Sequence, residues 1–240
     1  MMTTTIDMIG IGVGIAKERR MTDTNTVHTS RLDARTERKV RVWDPLVRVF
    51  HWSLVAAFAV AWLSAEELDT VHEIAGYVVA ALVALRLIWG LVGSRYARFA
   101  QFLKGPRETL AYIGDLTRGR ERRYLGHNPA GAAMIVALLV ALSGTAFTGW
   151  LLDEPGRVAM LPDLPQIVAP AFADGDEYGE QGEGGGGFVE EAHEVLANLL
   201  LLLVALHVAG VVLASFRHNE NLARAMVTGD KRAPQPGDIA

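Results

Sequence analysis

Four of the seven histidines in this sequence, His51, His72, His193 and His207, lie inside long apolar runs, where an ionisable side chain is costly. The other three, His28, His127 and His218, fall in polar stretches or at the edges of apolar ones. A neutral imidazole ligates metals and relays protons, so the buried set points to one of those two chemistries. Spacing narrows the choice. His193 and His207 stand 14 residues apart on one run, close to four helical turns, so they project from nearly one face at levels about 21 Å apart. Ligands of one metal ion lie within about 2 Å of it, so these two belong to separate sites.

The elements that must position them are membrane spans. Half of the 240 residues are apolar and the mean hydropathy is positive. Crossing about 30 Å of hydrocarbon takes roughly 20 apolar residues in a helix. Four segments satisfy this: about 47 to 65, 71 to 93, 129 to 152 and 192 to 216. The expected fold is all-α, an integral membrane four-helix bundle of up-down topology. Residues 39 to 230 form the bundle, 1 to 38 a disordered cytoplasmic tail and 231 to 240 a C-terminal tail.

Charge sets the direction. Between the second and third spans lie Arg95, Arg98, Lys104, Arg107, Arg118, Arg120, Arg122 and Arg123, a basic excess that belongs in the cytoplasm. Arg38, Lys39 and Arg41 before the first span, and Arg217, Arg224, Lys231 and Arg232 after the fourth, put both termini on that side. The outer connections are acidic: Glu66, Glu67 and Asp69 in one, and ten carboxylates against Arg157 alone over residues 153 to 191 in the other.

This topology matches the histidines by depth. The second span enters from outside, so His72 lies level with His193; the first enters from inside, so His51 lies level with His207. Two axial imidazole pairs stacked in a four-helix bundle are what two six-coordinate b-type haems require. Any one of these histidines alone is readily read as a hydrogen-bonded polar residue in a helix interface; four in matched pairs are not. Arg86, 14 residues after His72, reaches the inner level and Arg48 lies one turn before His51, so both are candidate haem propionate contacts. Snorkelling to the interface explains Arg86 equally well. Gly76, Gly210, Gly144 and Gly149 are small residues that leave room beside a porphyrin, although small residues also serve ordinary helix packing. The alternative class is a haem-free transporter whose histidines carry protons or divalent ions.

Other classes are poorly supported. With no cysteine there are no disulfides, thiolate-held iron–sulfur clusters, catalytic thiols or covalently attached haem. No hydrolytic motif stands at an identifiable cleft. The basic residues are explained by topology, so nucleic acid is not an expected partner. The glycine-rich piece at 182 to 187 is a linker, since no strand precedes it and no lysine follows. Ile6 to Ala16 is too short and wrongly flanked for a signal peptide. Residues 107 to 118 are expected to form an interfacial helix with Leu110, Ile113 and Leu116 towards lipid.

Placed in order, Arg-Val-Phe-His-Trp at 48 to 52, His-Glu-Ile-Ala-Gly-Tyr at 72 to 77, Arg-Leu-Ile-Trp-Gly at 86 to 90 and Gly-His-Asn-Pro-Ala-Gly at 126 to 131 resemble the prokaryotic cytochrome b561 superfamily. His-Glu-Val-Leu-Ala-Asn from 193 and Leu-His-Val-Ala-Gly from 206 complete the likeness, which covers roughly residues 40 to 230 and includes the b-type cytochrome subunits of nickel–iron hydrogenases. The resemblance implies two haems b on His51, His72, His193 and His207 in the bacterial inner membrane. It also implies electron exchange between a quinone and a redox partner such as a cytochrome c or a hydrogenase-type subunit. A stand-alone quinone-linked oxidoreductase, for instance a superoxide oxidase, is the alternative within that class, and a homodimer is left open.

Overall fold

Two X-Pro pairs start two of the long helices. Asp44 caps helix α1 (Pro45–Ser64) by accepting a hydrogen bond from the Val47 amide at 2.8 Å, and Asn128 caps α5 (Pro129–Leu152) through the Gly131 amide at 2.7 Å. In each, proline occupies the first turn, where its missing N–H costs nothing. The computed structural model describes residues 39–159 and 186–239. The expected N-terminal tail, His28 and most of the long acidic connection lie outside them.

Chain order is β1 (Lys39–Arg41), α1, α2 (Asp69–Val92), α3 (Phe99–Phe102), α4 (Pro106–Thr117), α5, α6 (Pro155–Val158), α7 (Gly186–Arg217), α8 (Leu222–Thr228) and β2 (Asp230–Arg232). Helices α1, α2, α5 and α7 are long and apolar enough to cross a membrane. Their outward faces carry exposed Val49, Leu63, Leu91, Val140 and Phe216, as lipid-facing surfaces do. Hydroxyls within them are satisfied locally: Ser64 donates to the Val60 carbonyl, Ser143 to Leu139 and Thr145 to Ala141.

The spans match the expectation within two residues except at the last. Helix α7 begins at Gly186, not 192, so the end of the expected glycine linker is helical. Leu110 and Ile113 of α4 are exposed as expected, Leu116 is half-buried, and Tyr112 is buried with its ring edge-on to Tyr124.

Packing is sequential: α1 lies on α2, α2 on α5, and α5 on α7. The backbones of α1 and α2 do not pack closely against α7. Helix α5 thus lies against both α2 and α7, and α1 and α2 meet α7 through side chains. One apolar cluster crosses the middle of the bundle, built from Val79 and Val83 of α2, Leu139 and Leu142 of α5, and Leu200 of α7. Val79 falls midway between His72 and Arg86, and Leu200 midway between His193 and His207, so this cluster separates two levels.

One end of the bundle is closed by residues the sequence reads as a tail. Strand β2 pairs antiparallel with β1, Lys39 opposite Arg232 and Arg41 opposite Asp230. Ile239 exchanges backbone hydrogen bonds with Arg123 and Leu125, each at 2.9 Å. Arg123 forms a buried ion pair with Glu220 at 2.9 Å and another with Asp238 at 2.5 Å. Lys231 donates to the Leu125 carbonyl at 3.0 Å. The C-terminal segment is thus a cap on the basic end.

Candidate functional site

At the end of the bundle away from the cap, the His72 and His193 rings face each other with centroids 6.2 Å apart and planes at 75°. Helix α2 supplies one and α7 the other. His72 Nδ1 lies 2.8 Å from the Ala61 carbonyl of α1. A carbonyl oxygen only accepts, so Nδ1 carries the proton and Nε2 keeps its lone pair. His193 Nδ1 lies 2.9 Å from Thr148 Oγ1 of α5. That hydroxyl is within donor reach of the Gly144 and Thr145 carbonyls, both at 3.0 Å. With its proton on one of those carbonyls, its oxygen accepts from His193 Nδ1–H, and the Thr145 carbonyl is a second acceptor beside that ring. His72 thus keeps Nε2 free to bind a metal, and His193 does so in the tautomer that donates from Nδ1.

Near the capped end, His51 of α1 and His207 of α7 occupy the other level. His51 packs edge-on against Trp52 at 5.2 Å, and its buried Nδ1 has no hydrogen-bond partner among the described residues. Arg86 is 5% exposed, stacks its guanidinium on the Phe99 ring at 4.8 Å, and leaves one terminal nitrogen buried without a partner among the described residues. Such a buried cation calls for an anion beside it. Arg48 is partly committed: one terminal nitrogen donates to the Val227 carbonyl at 2.6 Å, while its buried Nε stays unpartnered.

Glycine contributes at three contacts. A methyl group at Gly149 would lie 3.1 Å from His193 Cε1, and one at Gly90 would lie 2.0 Å from the Phe99 ring. The first keeps α5 close enough for Thr148 to reach His193; the second lets Phe99 cover Arg86. Gly144 meets Leu196 in the same tight way, so Gly144 and Gly149 serve helix approach and leave no spare room there. Gly76 and Gly210 meet nothing within 4 Å, and Gly210 is exposed on the outside of α7.

A family model described as prokaryotic cytochrome b561 matches residues 42–229. The chain belongs to the prokaryotic cytochrome b561 family. One curated relative, the "Probable Ni/Fe-hydrogenase B-type cytochrome subunit" of Bradyrhizobium diazoefficiens, is 26% identical over 147 residues, covering 49% of this chain. The chain spans 59% of that relative's length. No solved structure matches it.

As a cytochrome b561 family member with four apolar spanning helices, this is a multi-pass membrane cytochrome b, and haem b is the group its residues must fit. An imidazole nitrogen binds a first-row metal at about 2 Å, which sets two rings on opposite sides of one ion with centroids about 6 Å apart. The His72–His193 separation meets that value. Among the described residues no group of three or more His, Asp or Glu side chains is placed to hold a bare metal ion. Paired histidines with free Nε2 atoms suit a macrocycle that brings its own equatorial ligands. The residues therefore fit haem.

Two features of this cytochrome b561 fold escape sequence reasoning. Thr148 is one of several hydroxyls on α5, and only its position opposite His193 distinguishes it. His127, set aside at the helix edge, is enclosed between Trp43 and Phe102, with centroids at 4.6 and 4.7 Å. Burial, then the charges of Arg86 and Lys231, push its pKa down to about 3, so it is neutral at physiological pH.

Proposed function

We propose that the chain carries electrons through the bilayer between a quinone pool and a redox partner, using two haems b held by histidine pairs. His72 and His193 hold the outer one; His51 and His207 hold the inner one. Arg86 contacts an inner propionate, and Arg48 is the second candidate for that contact through its free Nε. The observation that carries this reading is the His72–His193 pair, whose ring centroids are 6.2 Å apart, the spacing two ligands of one iron would have.

Bound haem b supplies reversible one-electron iron chemistry; the chain's residues determine where that happens. The histidines fix two levels about 21 Å apart along α7, by its helical rise. The Val79–Leu200 cluster keeps water from the space between them. Arg86 offsets anionic charge at the inner level. The basic loop and cap face the cytoplasm of a bacterial inner membrane and the acidic connections face outward. There a partner of the cytochrome c or hydrogenase-type class docks, steered by a negative surface.

The test is haem content of purified single-histidine variants. His72→Ala and His193→Ala each retain one haem per chain, the same one by spectrum and potential, and His51→Ala and His207→Ala each retain the other. Retention of two haems by any of the four variants contradicts its assigned role.

A further inference from the structure

The two histidine pairs differ in what holds their outer nitrogens. At the outer level each Nδ1 atom has a hydrogen-bond partner, His72 the Ala61 carbonyl at 2.8 Å and His193 Thr148 Oγ1 at 2.9 Å. At the inner level the buried His51 Nδ1 has no partner among the described residues. An imidazole whose Nδ1–H is hydrogen-bonded is more basic at Nε2. It stabilises ferric iron more than ferrous and so lowers the reduction potential.

Resting on the reading that His72 and His193 ligate a haem, we propose that Thr148 is a positioning residue that fixes the His193 ring and makes the outer haem the lower-potential one. Helix α5 supplies no ligand, yet its packing on α7 and the bare backbone of Gly149, 3.1 Å from His193 Cε1 when measured to an added methyl, bring Thr148 to the ring. Thr148 suits this role when its proton goes to the Gly144 or Thr145 carbonyl of its own helix, which leaves its oxygen to accept from His193 Nδ1–H. With haem bound at both levels, that order of potentials would make one-electron transfer from the outer site to the inner one downhill. Ala61 contributes through its backbone and cannot be tested by substitution; Thr148 can.

The experiment is spectroelectrochemistry of full-length, detergent-purified protein, with haem counted per chain. His193→Ala is the reference that identifies the outer haem as the one lost; if it keeps two haems, the ligation reading fails, independently of Thr148. Thr148→Val keeps the shape and removes the acceptor: the lower midpoint moves up and the other stays. Thr148→Ser restores the acceptor and brings the midpoint back. Unchanged midpoints in a two-haem Thr148→Val protein, or a Thr148→Ser protein shifted as far as Thr148→Val, overturn the proposal. Should Thr148→Val lose the outer haem, the wild-type order decides: the outer haem must hold the lower midpoint, and the reverse order overturns the proposal.

Discussion

Buried charge and tautomer govern this molecule at the scale of single residues. Arg86 keeps its guanidinium buried against Phe99, and in a membrane interior such a charge persists only beside compensating charge or dipoles. Replacing it by Gln retains a hydrogen-bond donor and removes the charge. Arg86→Gln is expected to retain both haems and lower the inner midpoint, with the outer unchanged, in a potentiometric measurement; an unchanged inner midpoint would detach Arg86 from that level. Gly149→Ala pushes a methyl to 3.1 Å from His193 Cε1, so the ring must tilt. Lower occupancy of the outer haem alone is the expected result, read as haem per chain. The histidines were legible in the sequence because polar side chains interrupt apolar runs at matched depths. Thr148 and the Ala61 carbonyl were not: a hydroxyl bonded back to its own helix is commonplace, and a carbonyl has no sequence signal at all.

Among the elements, the cap is where sequence reasoning reads least. Arg123, Glu220, Lys231 and Asp238 look like solvated charges in a basic loop and a tail, because nothing local announces partners about a hundred residues away. In the structure Arg123 and Glu220 are buried together, with side chains 5% and 8% exposed. Removing one member of a buried pair leaves the other uncompensated, at a cost of about 3–5 kcal/mol. Arg123→Ala is therefore expected to release the C-terminal segment, seen as accelerated amide exchange in β1 and β2. Acid should do the same. Burial raises the Glu220 carboxyl, but the hydrogen bonds from Arg123 and the charge of Lys231 outweigh it and hold it below its ordinary 4.5. Asp238 is likewise held below 3.8, burial being outweighed by the Gln235 amide and Arg123. Depressed carboxyl pKa values stabilise the cap above the ordinary values, and this stabilisation is lost as pH falls through the folded-state ones. Protection of the β1–β2 amides should thus hold at neutral pH and fade below about pH 4; protection that is flat down to pH 2 would contradict the ion-pair account. The sequence places the start of α7 too late because glycines argue against helix, yet the helix runs back to Gly186.

For the whole molecule, the four spans were legible from length and hydropathy. Which helices pack on which was not, because that follows from side chains far apart in sequence. Orientation can be tested cleanly since the chain has no cysteine. A thiol introduced by Arg118→Cys should react with an impermeant reagent only from the cytoplasmic side, and one introduced by Glu154→Cys only from the outer side; the reverse pattern would invert the topology and exchange the inner and outer levels. Orientation decides which partner meets which haem, but the account stands first on the haems themselves. The most direct measurement is a dithionite-reduced minus oxidised spectrum of the purified protein, with haem b quantified per polypeptide after expression with ample haem supply. Two haems b per chain is the predicted result. A protein that folds with no haem, or with a single haem that survives every histidine substitution, would contradict it.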